Sequence, residues 1–221
     1  MRTVIFDLDG TLADTSADLV AAANAVFRAR GLGDLLDPVA DALTAFHGGR
    51  AMLRLGYGRA GLPDEVPEAD YRTLLDHYGA HIDTHTRLYP GAVQAVTALR
   101  AAGFATGICT NKPEGLAREL IRRLGVTDLF SSLIGADTLP VRKPDPAPYR
   151  AAVAGAGGTL ARSILIGDTR TDRDTARAAG VPCALVTFGP EGRAIERLSP
   201  EALLHHYDDL PALAQSLTGP A

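Results

Sequence analysis

The stretch Thr3-Val4-Ile5-Phe6-Asp7-Leu8-Asp9-Gly10-Thr11-Leu12 sets how the rest of the chain is read. Its first four residues are β-branched or aromatic and carry no charge, the pattern of a strand buried on both faces. The run stops at Asp7, and a second acid follows at Asp9 before Gly10 opens a turn. In extended backbone, residues two apart face the same side, so Asp7 and Asp9 can address one site. Two adjacent carboxylates repel unless something positive lies between them, and a hard cation such as Mg²⁺ is the usual answer. A calcium loop is excluded, because its sixth and twelfth positions would fall on Leu12 and Asp18 instead of Gly and Glu. A carboxylate that merely caps a helix stays open as a reading.

Along the rest of the chain, similar apolar runs at 104–109, 133–135, 163–166 and 183–187 are strand candidates. Between them, helical patterns over 92–102, 113–124 and 171–179 each stop at a glycine: Gly103, Gly125 and Gly180. Glycine just past the last periodic residue is a C-cap signal, because it enters the left-handed region without strain. Strand, helix, glycine, strand in repetition predicts an α/β fold with a parallel sheet. Residues 15–87 interrupt it with helical spacing and no strand pattern; Leu19, Val20, Ala23, Val26 and Phe27 share one helix face. The expected organisation is a core of 1–14 and 88–221 with a small helical domain, 15–87, inserted after the first strand.

Composition narrows the function. The 221 residues carry 22 basic and 26 acidic side chains, a net charge of −4. A surface built on phosphate-backbone contacts is usually basic, so nucleic acid is excluded as the main partner. Cys109 and Cys183 sit in apolar runs and read as buried free thiols in a reducing compartment. No run of 18 apolar residues and no signal-peptide pattern occurs, so a cytoplasmic protein without membrane contact is expected.

Three further motifs stand out, two of them at predicted strand ends. Thr110-Asn111-Lys112 offers a hydroxyl, an amide and backbone N–H groups to phosphate oxygens, although a plain N-cap fits it equally. Lys143 stands in Arg142-Lys143-Pro144-Asp145-Pro146. The chain has only two lysines, Lys112 and Lys143, against 20 arginines, and both lie beside candidate site loops. A compact ammonium acting as a point charge accounts for that placement; a solvated surface lysine is the plainer alternative. Gly167-Asp168-Thr169-Arg170-Thr171-Asp172 adds two acids, of which Asp172 also suits a helix cap.

Taken in order, these motifs resemble the haloacid dehalogenase superfamily, phosphatase branch, over essentially the whole chain. The finer pattern, Phe-Asp-Leu-Asp-Gly-Thr-Leu with Thr-Asn-Lys-Pro, Lys-Pro-Asp-Pro and Gly-Asp-Thr-x-x-Asp, looks most like phosphoglycolate phosphatases. The resemblance implies a Rossmann-like parallel-sheet core with an inserted α-helical cap. It further implies Mg²⁺-dependent hydrolysis of a small phosphorylated metabolite, 2-phosphoglycolate, through an aspartyl phosphate, by a monomer or homodimer. By position, Asp7 is then the nucleophile and Asp9 the general acid and base. Asp7, the Asp9 carbonyl and Asp168 hold the metal with Asp172 in support. Thr110, Asn111 and Gly10 meet the phosphoryl group, and Lys143 neutralises charge. Thr169 stands where relatives often carry Ser and keeps the hydroxyl.

The cap is less legible. His47, Arg50 and Arg54 flank the Gly48-Gly49 break, and Arg50 is a candidate for a substrate carboxylate. His77, His81 and His85 recur every four residues and read as a solvated stripe, since no acid or cysteine completes a ligand set. Related chemistries are separated by residue type. A phosphonate hydrolase needs a Schiff-base lysine in the cap, and residues 15–87 have none; a dehalogenase lacks the second aspartate, which is present here. Sugar-phosphate phosphatases and mutases like β-phosphoglucomutase share every catalytic residue and stay open, as does a catalytically inactive interaction protein. A nucleotide-binding oxidoreductase would rest on Gly56-Tyr57-Gly58-Arg59-Ala60-Gly61, a G-x-G-x-x-G that does not follow a strand.

Overall fold

The structure, a computed structural model, describes residues 1–219. It divides into two compact units, Met1–Ala13 with Leu88–Ala221, and Asp14–Arg87. The chain opens with β1 (Thr3–Phe6), turns, and leaves the first unit through the two-residue β2 (Ala13–Asp14). Four helices build the second unit: α1 (Ser16–Ala29), α2 (Ala42–Phe46), α3 (Gly49–Arg59) and α4 (Glu68–Ala80). The chain returns through β3 (Arg87–Leu88), which pairs with β2. It then runs through α5 (Ala92–Ala101), β4 (Ala105–Cys109), α6 (Glu114–Arg123), β5 (Ser132–Ile134), α7 (Pro146–Gly155) and β6 (Ser163–Gly167). The last elements are α8 (Arg170–Ala179), β7 (Cys183–Val186), β8 (Ala202–Leu204) and α9 (Leu210–Thr218).

The main sheet has the order β5-β4-β1-β6-β7-β8, and each of its pairings is parallel. The expected α/β class is therefore what the chain adopts. β1 is central and wholly buried, with Val4, Ile5 and Phe6 at 0 % exposure, because helices cover both faces of a parallel sheet. Register aligns the strand ends. Phe6 lies level with Ile108 on one side and Ile166 on the other. Since neighbouring strands sit about 4.8 Å apart, the residues just past these three positions form one row along the sheet edge. The sixth strand, β8, has no counterpart among the strands expected from sequence: Ala-Leu-Leu is three residues long and has no β-branched member.

In the second unit, Leu19, Val20, Ala23, Val26 and Phe27 are all buried, as their helical spacing predicts. The Phe27 and Tyr57 rings meet edge to face at 5.6 Å. Gly56 allows this: a Cβ there would fall 2.1 Å from Phe27 Cζ. The G-x-G-x-x-G stretch thus begins inside α3, where its first glycine serves helix packing and no strand precedes it. Buried Asp18 on α1 accepts from the backbone N–H of His85 at 2.9 Å and of Thr86 at 2.8 Å. These bonds tie the segment before β3 to the first helix.

Candidate active site

β4 and β6 each run one residue past the level of Phe6, where β1 ends, so the three carboxyl ends deliver Thr110, Asp7 and Asp168 to one crevice, the place where open α/β sheets bind ligands. Asp7 is fixed by its own backbone, whose N–H donates to the Ile166 carbonyl at 2.9 Å. One carboxylate oxygen accepts from the Leu8 N–H at 2.7 Å, and the other lies 3.0 Å from Lys143 Nζ. Lys143, 2 % exposed, also donates to Asp172 Oδ1 at 2.6 Å. Asp172 is wholly buried and its second oxygen is shared: the N–H of Asp168 at 3.2 Å, and the N–H and Oγ1 of Thr169 at 3.1 and 2.7 Å, all donate to it. Asp172 therefore caps α8 and anchors Lys143 together.

Asp168 faces Asp7 from the neighbouring strand, and Thr11 Oγ1 donates to its Oδ1 at 2.8 Å. Gly10 lies beneath the same carboxylate with φ +78, and a Cβ there would stand 2.2 Å from Asp168 Oδ2, so glycine is required on two grounds. Oxygens of Asp7, Asp168 and Asp172 all lie within 4.8 Å of one another. This crowding shifts their titration. Burial, opposed by Lys143 and reinforced by Asp172 and Asp9, pushes the Asp7 carboxyl up to about 6. Burial and then the charges of Asp172 and Asp7 raise Asp168 well above the carboxylate range. Burial works against the charge of Lys143, yet Asp172 and Asp7 outweigh it and raise its pKa.

The structure brings Asp7, Asp9, Gly10, Thr110, Lys143, Asp168 and Asp172 to the carboxyl edge of one sheet. Thr110 is buried, and its Oγ1 accepts from the Lys112 N–H at 3.2 Å. Asn111 is exposed, and its Nδ2 donates to the Lys143 carbonyl at 3.0 Å, which joins the two loops. Arg50 belongs to the second unit, where it pairs with Glu68 at 2.6 Å and lies over the Tyr71 ring at 4.1 Å. His47 and Arg54 are exposed in the same unit, and His77 and His81 stack at 4.5 Å.

Three contacts escape sequence reasoning. Lys112 Nζ lies 2.8 and 2.9 Å from the two oxygens of Asp9. Thr11 reaches Asp168 across 157 residues, and the buried Tyr207 hydroxyl donates to the Thr11 carbonyl at 2.6 Å. The two-lysine count is a signal for the first, and the fixed spacing of Thr11 behind Asp7 and Asp9 is one for the second. Nothing around Tyr207 marks it.

A parallel sheet whose central strand runs into Asp-x-Asp, with a lysine from the loop before α7, an acid just past β6 and another on α8, defines a class. A family model for haloacid dehalogenase-like hydrolases matches residues 1–180, and the chain belongs to that family. Among curated relatives, the phosphoglycolate phosphatase of Mesorhizobium japonicum is 38% identical over 209 residues, covering 94% of this chain and 92% of its own. A crystal structure of a predicted phosphoglycolate phosphatase from Haemophilus somnus 129pt superposes with a TM-score of 0.84 at 24% identity, covering 97% of this chain and 98% of that one. A haloacid dehalogenase family hydrolase from Deinococcus radiodurans R1, solved with bound phosphate and sodium, gives 0.75 at 27% identity, covering 100% and 99%.

Proposed function

We propose that the protein is a Mg²⁺-dependent phosphomonoester hydrolase that works through an aspartyl phosphate, with 2-phosphoglycolate as its substrate. The observation that carries this reading is the cluster of Asp7, Asp168 and Asp172 on Lys143 at the end of the central strand. Three carboxyl groups outnumber the one ammonium in a buried pocket, and burial with mutual repulsion works against the ionisation of Asp7 and Asp168, an imbalance that a divalent cation would relieve. The donors are all hard oxygens, which suits Mg²⁺. Asp7, Asp168 and the Asp9 carbonyl would hold it, while Asp172, already engaged by Lys143 and the α8 cap, supports from behind. When bound, the ion supplies charge neutralisation between carboxylate and phosphate.

The chain's own residues do the rest. An Asp7 oxygen forms a bond to phosphorus as the ester P–O bond breaks, and the electron pair leaves on the ester oxygen. Asp9 gives that oxygen its proton, a contribution of about 10²–10⁴-fold. In the second half, water attacks the same phosphorus, Asp9 takes its proton, and the Asp7–phosphorus bond breaks to release inorganic phosphate and restore the carboxylate. Lys143, 3.0 Å from Asp7, offsets the repulsion between two anions that must meet. Thr110 and the backbone beside Gly10 line the place for the phosphoryl group. The substrate follows from relatives such as the Mesorhizobium japonicum protein, whose name is phosphoglycolate phosphatase.

The test is phosphate release from 2-phosphoglycolate with Mg²⁺ and with chelator. Asp7→Asn is expected to lose activity by about 10³-fold or more. Mg²⁺ at 100 times its Kd is expected to stabilise the wild type by about 2.7 kcal/mol, visible as a rise in Tm, and Asp168→Asn to lose that rise. An isomerised sugar phosphate in place of free phosphate would reassign the protein as a mutase.

A further inference from the structure

The chemistry proposed for the site leaves Lys112 without a role, yet the chain spends one of its two lysines there. Both are buried, at 6 % and 2 % exposure, and each ends on one member of the Asp7-x-Asp9 pair. Lys143 is placed between Asp7 and Asp172. Lys112 instead spans both oxygens of Asp9, the carboxylate that meets the leaving group. Its backbone is fixed at two points: the N–H donates to Thr110 Oγ1 at 3.2 Å, and the carbonyl accepts from Ala136 N–H at 2.9 Å. An ammonium held this way is aimed by the fold, and its position is set relative to the group that touches the ester oxygen.

We propose that Lys112 is a specificity-determining residue, the cation that recognises the carboxylate of the leaving group. The proposal rests on the reading of Asp9 as the acid and of 2-phosphoglycolate as the substrate. In that substrate the carboxylate carbon is two bonds from the ester oxygen. An Asp9 oxygen within hydrogen-bond distance of the ester oxygen, about 2.7 Å, brings Lys112 Nζ to within reach of the neighbouring carboxylate. A small alkyl phosphate without the carboxylate has the same ester oxygen and the same phosphoryl group and offers Lys112 nothing. The core unit thus carries its own means of choosing an anionic leaving group, separate from any residue of the helical unit. Lysine suits the place better than arginine, because a compact point charge fits a buried position beside a carboxylate.

The experiment compares 2-phosphoglycolate with ethyl phosphate, a neutral leaving group of similar size, in wild type, Lys112→Met and Lys112→Gln. The expected result is that kcat/KM for 2-phosphoglycolate falls about 10- to 100-fold in both variants, the range carried by a hydrogen bond to a charged group. Any loss through Asp9 is shared by both esters, so the ratio of kcat/KM for 2-phosphoglycolate to that for ethyl phosphate is the readout, and it is expected to fall about 10-fold or more. An equal fall for both substrates would mean that Lys112 acts only through Asp9 or the fold, and would overturn the proposal; so would no change for either. Calorimetric titration in the Asp7→Asn background removes turnover from the comparison. There, Lys112→Met is expected to weaken 2-phosphoglycolate about 10-fold more than ethyl phosphate, and equal weakening would again refute it. If wild type hydrolyses neither ester with Mg²⁺ present, the functional reading itself fails and this proposal falls with it. Activity on both with no dependence on Lys112 removes the proposal alone.

Discussion

At the scale of single residues, the site is a problem in buried charge. Lys143 stands between two carboxylates at 3.0 and 2.6 Å with almost no solvent contact. Removing one partner of such a group leaves the others uncompensated, which costs more than the intact arrangement contributes. Lys143→Met is therefore expected to lower stability by about 3–5 kcal/mol as well as abolish activity, measured by urea denaturation in the absence of Mg²⁺. Lys143→Arg is not expected to rescue either property, because a planar fork does not fit where one nitrogen meets both acids. Much of this was legible in the sequence. Asp7, Asp9 and Asp168 each follow an apolar run, where a parallel sheet exposes its ligand edge, and Lys143 stands out as one of only two lysines. The partner of Lys112 was not legible, since nothing local to residue 112 reports what lies 103 positions earlier. Tyr207 shows the same limit more strongly, because its hydroxyl is spent on a backbone carbonyl and leaves no pattern in side-chain types.

Among the elements, α1, α5, α6, α8 and the buried strands were readable because each announces its period or its stop, whereas α7 and α9 were not read. β8 was not, since a three-residue edge strand is defined by its neighbour and hardly at all by its own residues. The helical unit offers two tests. Gly56 lets α3 approach Phe27 so closely that a methyl group has no room. Gly56→Ala is expected to destabilise that unit by about 1–3 kcal/mol despite its gain in helix propensity, as followed by thermal unfolding. The second test concerns pH. Burial, then the neighbouring His81 and Arg28, lower the pKa of His77 below its usual 6.5, and its Nδ1 has no hydrogen-bond partner among the described residues. The folded chain therefore refuses a proton that the unfolded chain accepts. Stability from this group is present above pH 6.5 and is lost as pH falls below it. His77→Gln is expected to flatten the decline in Tm between about pH 7 and pH 5, and an unchanged slope would count against this account.

Over the molecule as a whole, the organisation follows from one local fact. The Tyr89 N–H donates to the Leu12 carbonyl at 3.0 Å, so the chain re-enters the first unit beside the point where it left. An insertion with adjacent ends leaves the host's strand pairings intact, which is the geometry that tolerates it best. Joining Ala13 to Leu88 through a short glycine-containing turn is expected to give a shortened chain that unfolds cooperatively by circular dichroism and keeps a Mg²⁺-dependent rise in Tm. Noncooperative unfolding would show that the helical unit is needed for the first to fold. The sequence made the insertion visible as a change of period between residues 15 and 87, while the closeness of its ends is a matter of backbone pairing that no residue type encodes. The burial of both lysines has a further, practical effect. In the native state neither ε-amine of these 221 residues faces solvent, so acylating dyes, amine cross-linkers and lysine-specific endoproteases find no lysine to attack there. An adduct on either lysine of the folded chain would be a direct chemical record of the crevice having opened.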